Sequence, residues 1–506
     1  MWSITSHEST YHMVLLTLGT ISTIYVSYKV LSLPVPVPDP EIEQLYQPPS
    51  TLPVLGNTLD LLFFHRSRLS DWINEQTNAS NGKPWQLKLL FQRPWIVLSM
   101  PQDLHDVFVD KFHVFEKGGT LGEMSFDVLG HGLLNVNGEQ WAQQRRAVTS
   151  LFSSRNLRKM MIPVLYEKIR QVENVLTSAA LNQDIVNLKS LLNQFTAHVF
   201  TRIGFGIDFK EFQDEEEIHP LDIALNAVQY RFQTPMWMWK LSRWLNIGTE
   251  KRLRESMKQV QMMVRKILLQ TMNKQTLSEA TNLLTLLLQE TESITPQELQ
   301  DTAVNFFIAG KDTTSFSLSW LIVMFNRYPY VVNKVRQEIQ EKSRDFYSGK
   351  HEFPTFEEIQ EFVYLDAAVK ESVRLWSVST YRYATRDTTL ESGTFIPKGT
   401  IIVVSKYAAA RRQSVWGQDA AVYRPERWFD ESGARKEIVP PEFITFSTGP
   451  RKCMGMRLAM IEMKLVLAVL FTRFDIETVE DPWNITYDLS FMLPVKGPLA
   501  VRVRKR

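Results

Sequence analysis

The stretch Phe446-Ser447-Thr448-Gly449-Pro450-Arg451-Lys452-Cys453-Met454-Gly455 contains the only cysteine of the chain. Two glycines and a proline make it a tight loop, because glycine reaches backbone angles that other residues resist. The residues that follow, Met456 to Leu467, are good helix formers. Cys453 therefore sits where a loop enters a helix, and the unpaired N–H groups and positive dipole end there favour an anion. The thiolate is the form of cysteine that binds metal, and such a setting is expected to lower the thiol pKa. Arg451 and Lys452 add positive charge. An inert buried cysteine is the bland alternative, but the glycines, the cations and the helix start together favour metal ligation.

A second chemical group lies in Ala309-Gly310-Lys311-Asp312-Thr313-Thr314. Glycine, aspartate and two β-branched threonines are poor choices for the interior of a helix. Their presence there marks a functional site. Gly310 admits close approach to the backbone, and Asp312 and Thr313 offer a carboxylate and a hydroxyl, the parts of a proton relay. A phosphate loop is rejected: no glycine lies five positions before Gly310, and Asp312 stands where Ser or Thr is required. The histidines are scattered, with no metal-protease pair.

These residues need elements to hold them. Thr295-Pro296-Gln297-Glu298 reads as a capping box with proline in the first turn. The helix it starts can run to Tyr328-Pro329, where proline stops it, a length of roughly 50 Å at about 1.5 Å per residue. Phe362 to Trp376 is helical and carries Glu371 and Arg374 at i and i+3; Arg427 in Tyr423-Arg424-Pro425-Glu426-Arg427-Trp428 could complete a buried triad. A helix from Glu139 places Trp141 and Arg145 on one face. Phe112 to Gly132, rich in glycine and without period, reads as a loop over a site. Leu157 to Leu288 is mostly helical and includes Pro235-Met236-Trp237-Met238-Trp239, where core packing and contact with a membrane surface or greasy ligand are equally supported. Short strands are expected within Leu87–Met100, Arg382–Thr389, Ile401–Val404 and Ile485–Arg504.

The chain of 506 residues is 44% hydrophobic and 22% charged, the composition of a folded globular protein. A formal net charge of +2 gives no bulk support for a nucleic-acid partner. One cysteine excludes an intrachain disulfide framework and suits a reducing compartment. Ser9 to Tyr28 carries no Asp, Glu, Lys or Arg and, at about 20 residues, could span a bilayer. Without a basic leader or small-residue cleavage site it reads as an uncleaved anchor. Lys29 downstream and Glu8 upstream place the rest in the cytosol. Residues 1–31 are thus read as the anchor, the proline-rich 32–53 as a semi-rigid linker, and 54–506 as the catalytic body.

In order and spacing these motifs resemble those of a membrane-anchored cytochrome P450, a haem-thiolate monooxygenase, over nearly the whole chain. Phe446, Gly449, Arg451, Cys453 and Gly455 match the haem-binding loop, with Ser447 where many members have glycine. Ala309, Gly310, Asp312, Thr313 and Thr314 match the oxygen-activation motif. Glu371 and Arg374 match the ExxR motif with Arg427 as third member, and Trp141 and Arg145 match the WxxxR motif. The resemblance implies a mainly α fold with small β-sheets behind one N-terminal transmembrane helix. It implies haem b with Cys453 as axial ligand to the iron, and propionates held by Trp141, Arg145, Arg382 and Arg451, with Arg386 as substitute for Arg382. Phe446 and Gly310 would lie on opposite faces of the cofactor, and Asp312 and Thr313 would deliver protons. The chain has no dinucleotide fingerprint, so electrons are expected from a separate NADPH–cytochrome P450 reductase, with cytochrome b5 as a possible second donor. Arg146, Arg155, Arg158 and Lys452 are the docking candidates. The expected location is the endoplasmic reticulum membrane. Val136–Trp141, Leu245–Gly248 and Ala384–Thr389 are similar to segments of fatty-acid ω-hydroxylases, and a pocket of Val304, Phe307, Ile308, Val378 and Phe491 would be apolar. The reading leans to hydroxylation of a fatty acid or related lipid, against tailoring of a terpenoid, steroid or other secondary metabolite. A haem-thiolate isomerase and a haem sensor remain as other classes; the proton-relay residues count against both.

Overall fold

The computed structural model describes residues 42, 44–207, 219–273, 282–290, 294–377, 379–436, 438, 441–490 and 492–506. The anchor 1–31 and most of the linker lie outside them, as do Val378 and Phe491. Residues 44–53, read as linker, already engage the body: Tyr46 bridges Trp85 and Leu52 pairs with Gly56. Among the described residues no helix is long and apolar enough to cross a membrane.

The helices that build the site are, in chain order, α1 (Leu69–Ala79), α2 (Gly119–Leu129), α3 (Gly138–Leu151), α4 (Ile162–Asn182), α5 (Leu188–Phe205), α6 (His219–Gln233), α7 (Met236–Leu245), α8 (Gly248–Asn273), α9 (Pro296–Arg327), α10 (Val363–Leu375) and α11 (Met456–Arg473). Strands are few and short. A five-stranded sheet has the order β1 (Trp85–Leu87), β2 (Trp95–Leu98), β8 (Ile401–Val404), β5 (Thr380–Ala384), β3 (Phe115–Glu116), with only β2 and β8 parallel. An antiparallel sheet joins β4 (Ile185–Asn187), β10 (Ala500–Lys505) and β9 (Phe474–Thr478), and β6 (Thr388–Thr389) pairs with β7 (Phe395–Ile396). The strand expected over Ile485–Arg504 is confined to β10; its earlier part makes one isolated bridge, Tyr487 to Val495.

Helix α9 organises the molecule. Thr295 Oγ1 accepts from the Glu298 N–H (3.2 Å), and the Glu298 carboxylate accepts from the Thr295 N–H (2.9 Å), which closes the capping box. The helix runs 32 residues and is buried on most of its circumference, as a helix surrounded by others must be. It packs against α5, α8, α10 and α11. Two of its buried polar residues have partners on a neighbouring turn. Asp301 Oδ2 accepts from His131 N (2.8 Å), and Asn305 both accepts from Leu134 N (2.8 Å) and donates to Leu129 O (2.9 Å). The 130–134 turn is thereby fastened to the face of α9.

One expectation fails here. The glycine-rich stretch Phe112–Gly132 is not all loop, for α2 occupies Gly119–Leu129. Its hold is tertiary: Arg231 of α6 donates to Met124 O (2.8 Å), Arg243 of α7 grips Asp127 (3.1 Å to each oxygen), and Lys240 pairs with Glu123 (2.7 Å).

Candidate functional site

The cysteine loop keeps its shape through backbone geometry. Gly449 has φ +65° and lies so close to the Phe108 carbonyl that a Cβ would collide with it. Ser447 takes φ +60° without being glycine, and its buried Oγ has no partner among the described residues; the missing glycine is replaced at a cost in backbone strain. Cys453 N donates to Phe446 O (2.8 Å), closing the loop, and α11 begins at Met456. The thiol acidity differs from the expectation. Cys453 is exposed to the cavity, yet the protein packed around the loop pushes its thiol up, and the N–H groups of Gly455 and Met456 with the charges of Lys406 and Arg145 oppose this. The helix-start effect is present but smaller than desolvation.

Behind the loop stands a buried ion cluster. Glu371, fully buried, accepts from Arg374 (2.8 and 2.9 Å), Arg427 Nε (3.1 Å), Trp428 Nε1 (3.1 Å) and the Arg424 N–H (3.1 Å). Such a cluster is strongly destabilised when one member is removed, because the others remain buried and unpaired. Its link to the loop is direct: Trp428 packs on Phe443 (4.9 Å between ring centroids), Phe443 contacts Phe446 (6.2 Å), and Thr445 Oγ1 donates to Val373 O of α10 (3.1 Å).

Between the loop and α9 lies a cavity of about 400 Å³. Cys453, Phe446, Ser447, Arg451 and Lys452 line one side; Ala309, Gly310, Thr313, Thr314 and Ser317 line the other. Thr313 Oγ1 donates to Ala309 O (2.6 Å), as threonine does within a helix. Phe200 of α5 sits where a Cβ on Gly310 would be, so the close approach that Gly310 permits is made by a phenylalanine. Asp312 points away from the cavity. It is almost fully buried, pairs with Lys311 Nζ (2.8 Å), and Lys311 also reaches Asp222 (3.0 Å), whose side chain is half exposed. Burial raises the Asp312 pKa against the pull of Lys311. Of the predicted pocket wall, Ile308 lines the cavity, while Val304 and Phe307 turn into the hydrophobic core and Phe306 takes their place. The helical period is as expected and the phase on α9 is not.

Cations gather at one end of this cavity, and among the described residues no carboxylate lines it. The Arg451 guanidinium lies over the Trp141 ring (4.6 Å) and donates to Val136 O (2.7 Å) and Asn137 Oδ1 (2.8 Å). The Arg145 guanidinium also lies over Trp141 (5.6 Å) and donates to Lys452 O (2.8 Å). Arg382, 2% exposed, packs on Phe108 and keeps its Nε without a partner; it is set back from the cavity wall. Arg386 is exposed. Two lysines that the sequence did not suggest complete the group. Lys117, following β3, lines the cavity, and Lys406, buried, donates to Thr445 O (3.0 Å). The only sequence signal for Lys117 was its place before Gly118-Gly119, and Lys406 had only the apolar run before it. Burial and mutual repulsion lower these bases: Arg451 to about 10, Arg382 to about 9 and Lys406 to about 8.

This donor set fits a haem. A thiol faces a largely apolar cavity, and cations with no carboxylate beside them among the described residues stand at one end, where two propionates would be neutralised. A second chamber of about 240 Å³ shares Lys117, Leu134, Ile308 and Met492 with the first and continues between α2 and α6.

Comparison with known proteins agrees. Residues 47–500 match the model of the family "Cytochrome P450". The chain is similar to cytochrome P450 86B1 of Arabidopsis thaliana (29% identity; 86% of this chain, 82% of the relative). It is also similar to cytochrome P450 94A1 of Vicia sativa (28%; 90% of each) and to the alkane hydroxylase MAH1 of Arabidopsis thaliana (27%; 91% and 95%). With its thiolate loop, the buried triad and a family match over almost the whole length, the chain belongs to the cytochrome P450 family and is a monooxygenase with a haem-thiolate cofactor.

Proposed function

We propose that the enzyme hydroxylates a long-chain lipid, a fatty acid or closely related alkyl compound. The observation that carries this is the pair of adjoining chambers, which share Lys117, Leu134, Ile308 and Met492 and add largely apolar space between α2 and α6 to that before Cys453. An alkyl chain fits such a space by burying its methylenes, each worth about 0.8 kcal/mol. The similarity to an alkane hydroxylase supports the same class.

In this reading Cys453 Sγ would bind the haem iron, and Trp141, Arg145 and Arg451, joined by Lys117 and with Arg382 behind them, would hold the propionates. Phe446 covers the thiolate side, and Gly310 with Phe200 bounds the other. When bound, the haem supplies the iron at which dioxygen is reduced and one of its atoms is inserted into a C–H bond. The chain's own task is to supply protons and exclude water. Thr313 Oγ1 holds a proton at the cavity wall, and behind it Asp312, Lys311 and the half-exposed Asp222 link the buried interior to solvent, with no hydrogen bond between Asp312 and Thr313 among the described residues.

Electrons come from a separate NADPH-dependent reductase. Arg155 and Lys452 are exposed on the loop side of the molecule and suit an acidic partner; Arg146 and Arg158 are exposed but already paired with Glu139 and Glu357. Residues 9–28 anchor the protein in the endoplasmic reticulum membrane. Trp237, Leu241, Trp244, Leu245 and Ile247, exposed on and beside α7, give the body an apolar contact with the same membrane; Trp239, from the same stretch, is core.

The test is product analysis after incubation with reductase, NADPH and a panel of fatty acids, steroids and terpenoids. Hydroxylated fatty acid is the expected product. Oxidation of a steroid or terpenoid with no fatty acid oxidised would overturn the substrate assignment.

A further inference from the structure

The wall of the haem cavity contains two tryptophans in face-to-face contact. Trp320 of α9 and Trp376, just after α10, stack with ring centroids 3.5 Å apart and an interplanar angle of 4°. Trp376 in turn contacts Tyr407 (6.3 Å) and Tyr487 (6.3 Å), which are 6.1 Å from each other. Both phenols donate to one carboxylate, that of Asp71 in α1: Tyr407 to Oδ1 (2.6 Å) and Tyr487 to Oδ2 (2.8 Å). Stacking and burial explain aromatic rings in a core. They do not explain why the two tyrosines share one proton acceptor, nor why the line of rings begins at the cavity.

We propose that Trp320, Trp376, Tyr407 and Tyr487, with Asp71 as proton acceptor, form an electron-donating chain that protects the haem site when an oxidising equivalent is generated there and no substrate is oxidised. Tryptophan and tyrosine are the side chains most easily oxidised by one electron. The chain has a direction. Trp376 Nε1 is buried with no hydrogen-bond partner among the described residues, so a Trp376 that has lost an electron keeps its proton and its positive charge. The Arg411 guanidinium, 5.6 Å from that ring and 3.5 Å from Tyr407, disfavours that charge. A tyrosine that gives up its electron passes its proton to Asp71 and becomes neutral, so the cation does not oppose it. The vacancy therefore moves away from the cavity and rests on Tyr407 or Tyr487, both buried but hydrogen-bonded to the partly exposed Asp71.

The electrons balance. A peroxide takes up two electrons, delivered one at a time, and two protons from solvent to become two waters; each tyrosine oxidation passes its phenol proton to Asp71, which holds one proton at a time and gives it back before the second electron is drawn. A soluble one-electron reductant such as ascorbate then refills the tyrosine, which recovers its proton from Asp71.

The experiment uses the ferric holoprotein, mixed with hydrogen peroxide in the absence of substrate, freeze-quenched and examined by electron paramagnetic resonance, with haem bleaching followed in parallel. Wild type should give a tyrosyl radical. The double variant Tyr407→Phe/Tyr487→Phe should lose it and bleach several-fold faster. Asp71→Asn, which keeps a hydrogen-bonding oxygen but cannot take a proton, should also lower the tyrosyl yield and hasten bleaching. The carbon monoxide spectrum of each reduced variant reports whether the thiolate-bound haem is intact, which separates this proposal from the assignment of the haem site. If the double variant fails to retain haem, the two single variants and Asp71→Asn decide. No aromatic radical in wild type, or equal tyrosyl yield and bleaching in variants with intact haem, would overturn the proposal.

Discussion

Replacing Glu462 with glutamine is expected to stabilise the protein at alkaline pH. Glu462 lies on α11, is fully buried, and neither carboxylate oxygen has a hydrogen-bond partner among the described residues. Burial alone pushes its carboxyl from an ordinary 4.5 up to about 8. The acid is therefore protonated in the folded chain over a range where the unfolded chain has already released the proton. Its contribution to stability is complete below pH 4.5, falls as pH rises, and is gone above about pH 8. At about 1.4 kcal/mol per pH unit, the loss across that window is about 5 kcal/mol, a large share of the stability of an ordinary domain. The amide that replaces the carboxyl does not titrate, so this part of the slope vanishes. The assay is the thermal midpoint of wild type and Glu462→Gln between pH 5 and pH 9. The two should nearly coincide at the acid end and diverge by about 5–10 °C at the alkaline end, scaling the usual dependence to a chain of this size. All other titrations are common to both proteins and cancel in the difference. Parallel curves would show that Glu462 is ionised and solvated in the folded protein, and the reasoning from burial would fail.

Ser447→Gly should raise stability by about 1–2 kcal/mol, since it relieves a left-handed backbone at a non-glycine residue and removes a buried hydroxyl without a partner; an unchanged or lower thermal midpoint would refute this. Arg427→Met leaves Glu371 short of a charge in the core and should cost about 3–5 kcal/mol, seen as a lower midpoint and reduced haem content after purification. Thr313→Ala should lower product formation by about 10²-fold with haem content and NADPH consumption retained, because the hydroxyl lies in the cavity wall and supports no tertiary contact beyond Ala309 O; wild-type product yield would exclude a role for that hydroxyl in proton supply.

Some of this was legible from local chemistry. The capping box at Thr295, the proline at 329 and the glycine at 449 act on their immediate neighbours, so the long helix and the cysteine loop could be read directly. Glu371 and Arg374 lie one helical turn apart and announce themselves in the same way. Helix α2 could not be read, because its glycines disfavour a helix and its support comes from arginines and a lysine on α6 and α7. The acidity of Cys453 departs from expectation for a related reason. A helix start lowers a thiol pKa locally, whereas burial, which depends on everything packed around it, raises it more.

The reaction class was thus legible in the sequence itself, since the cysteine loop, the Ala309–Thr314 run and the Glu371–Arg374 pair are each short runs whose spacing carries their chemistry. The shape and lining of the cavity were decided only by tertiary structure. The phase of α9 that presents Phe306 and Ile308, the second chamber between α2 and α6, and the approach of Lys117 and Lys406 to the arginines join segments far apart in the chain. No spacing within one segment specifies a distance between two segments, because that distance is set by how their buried faces pack.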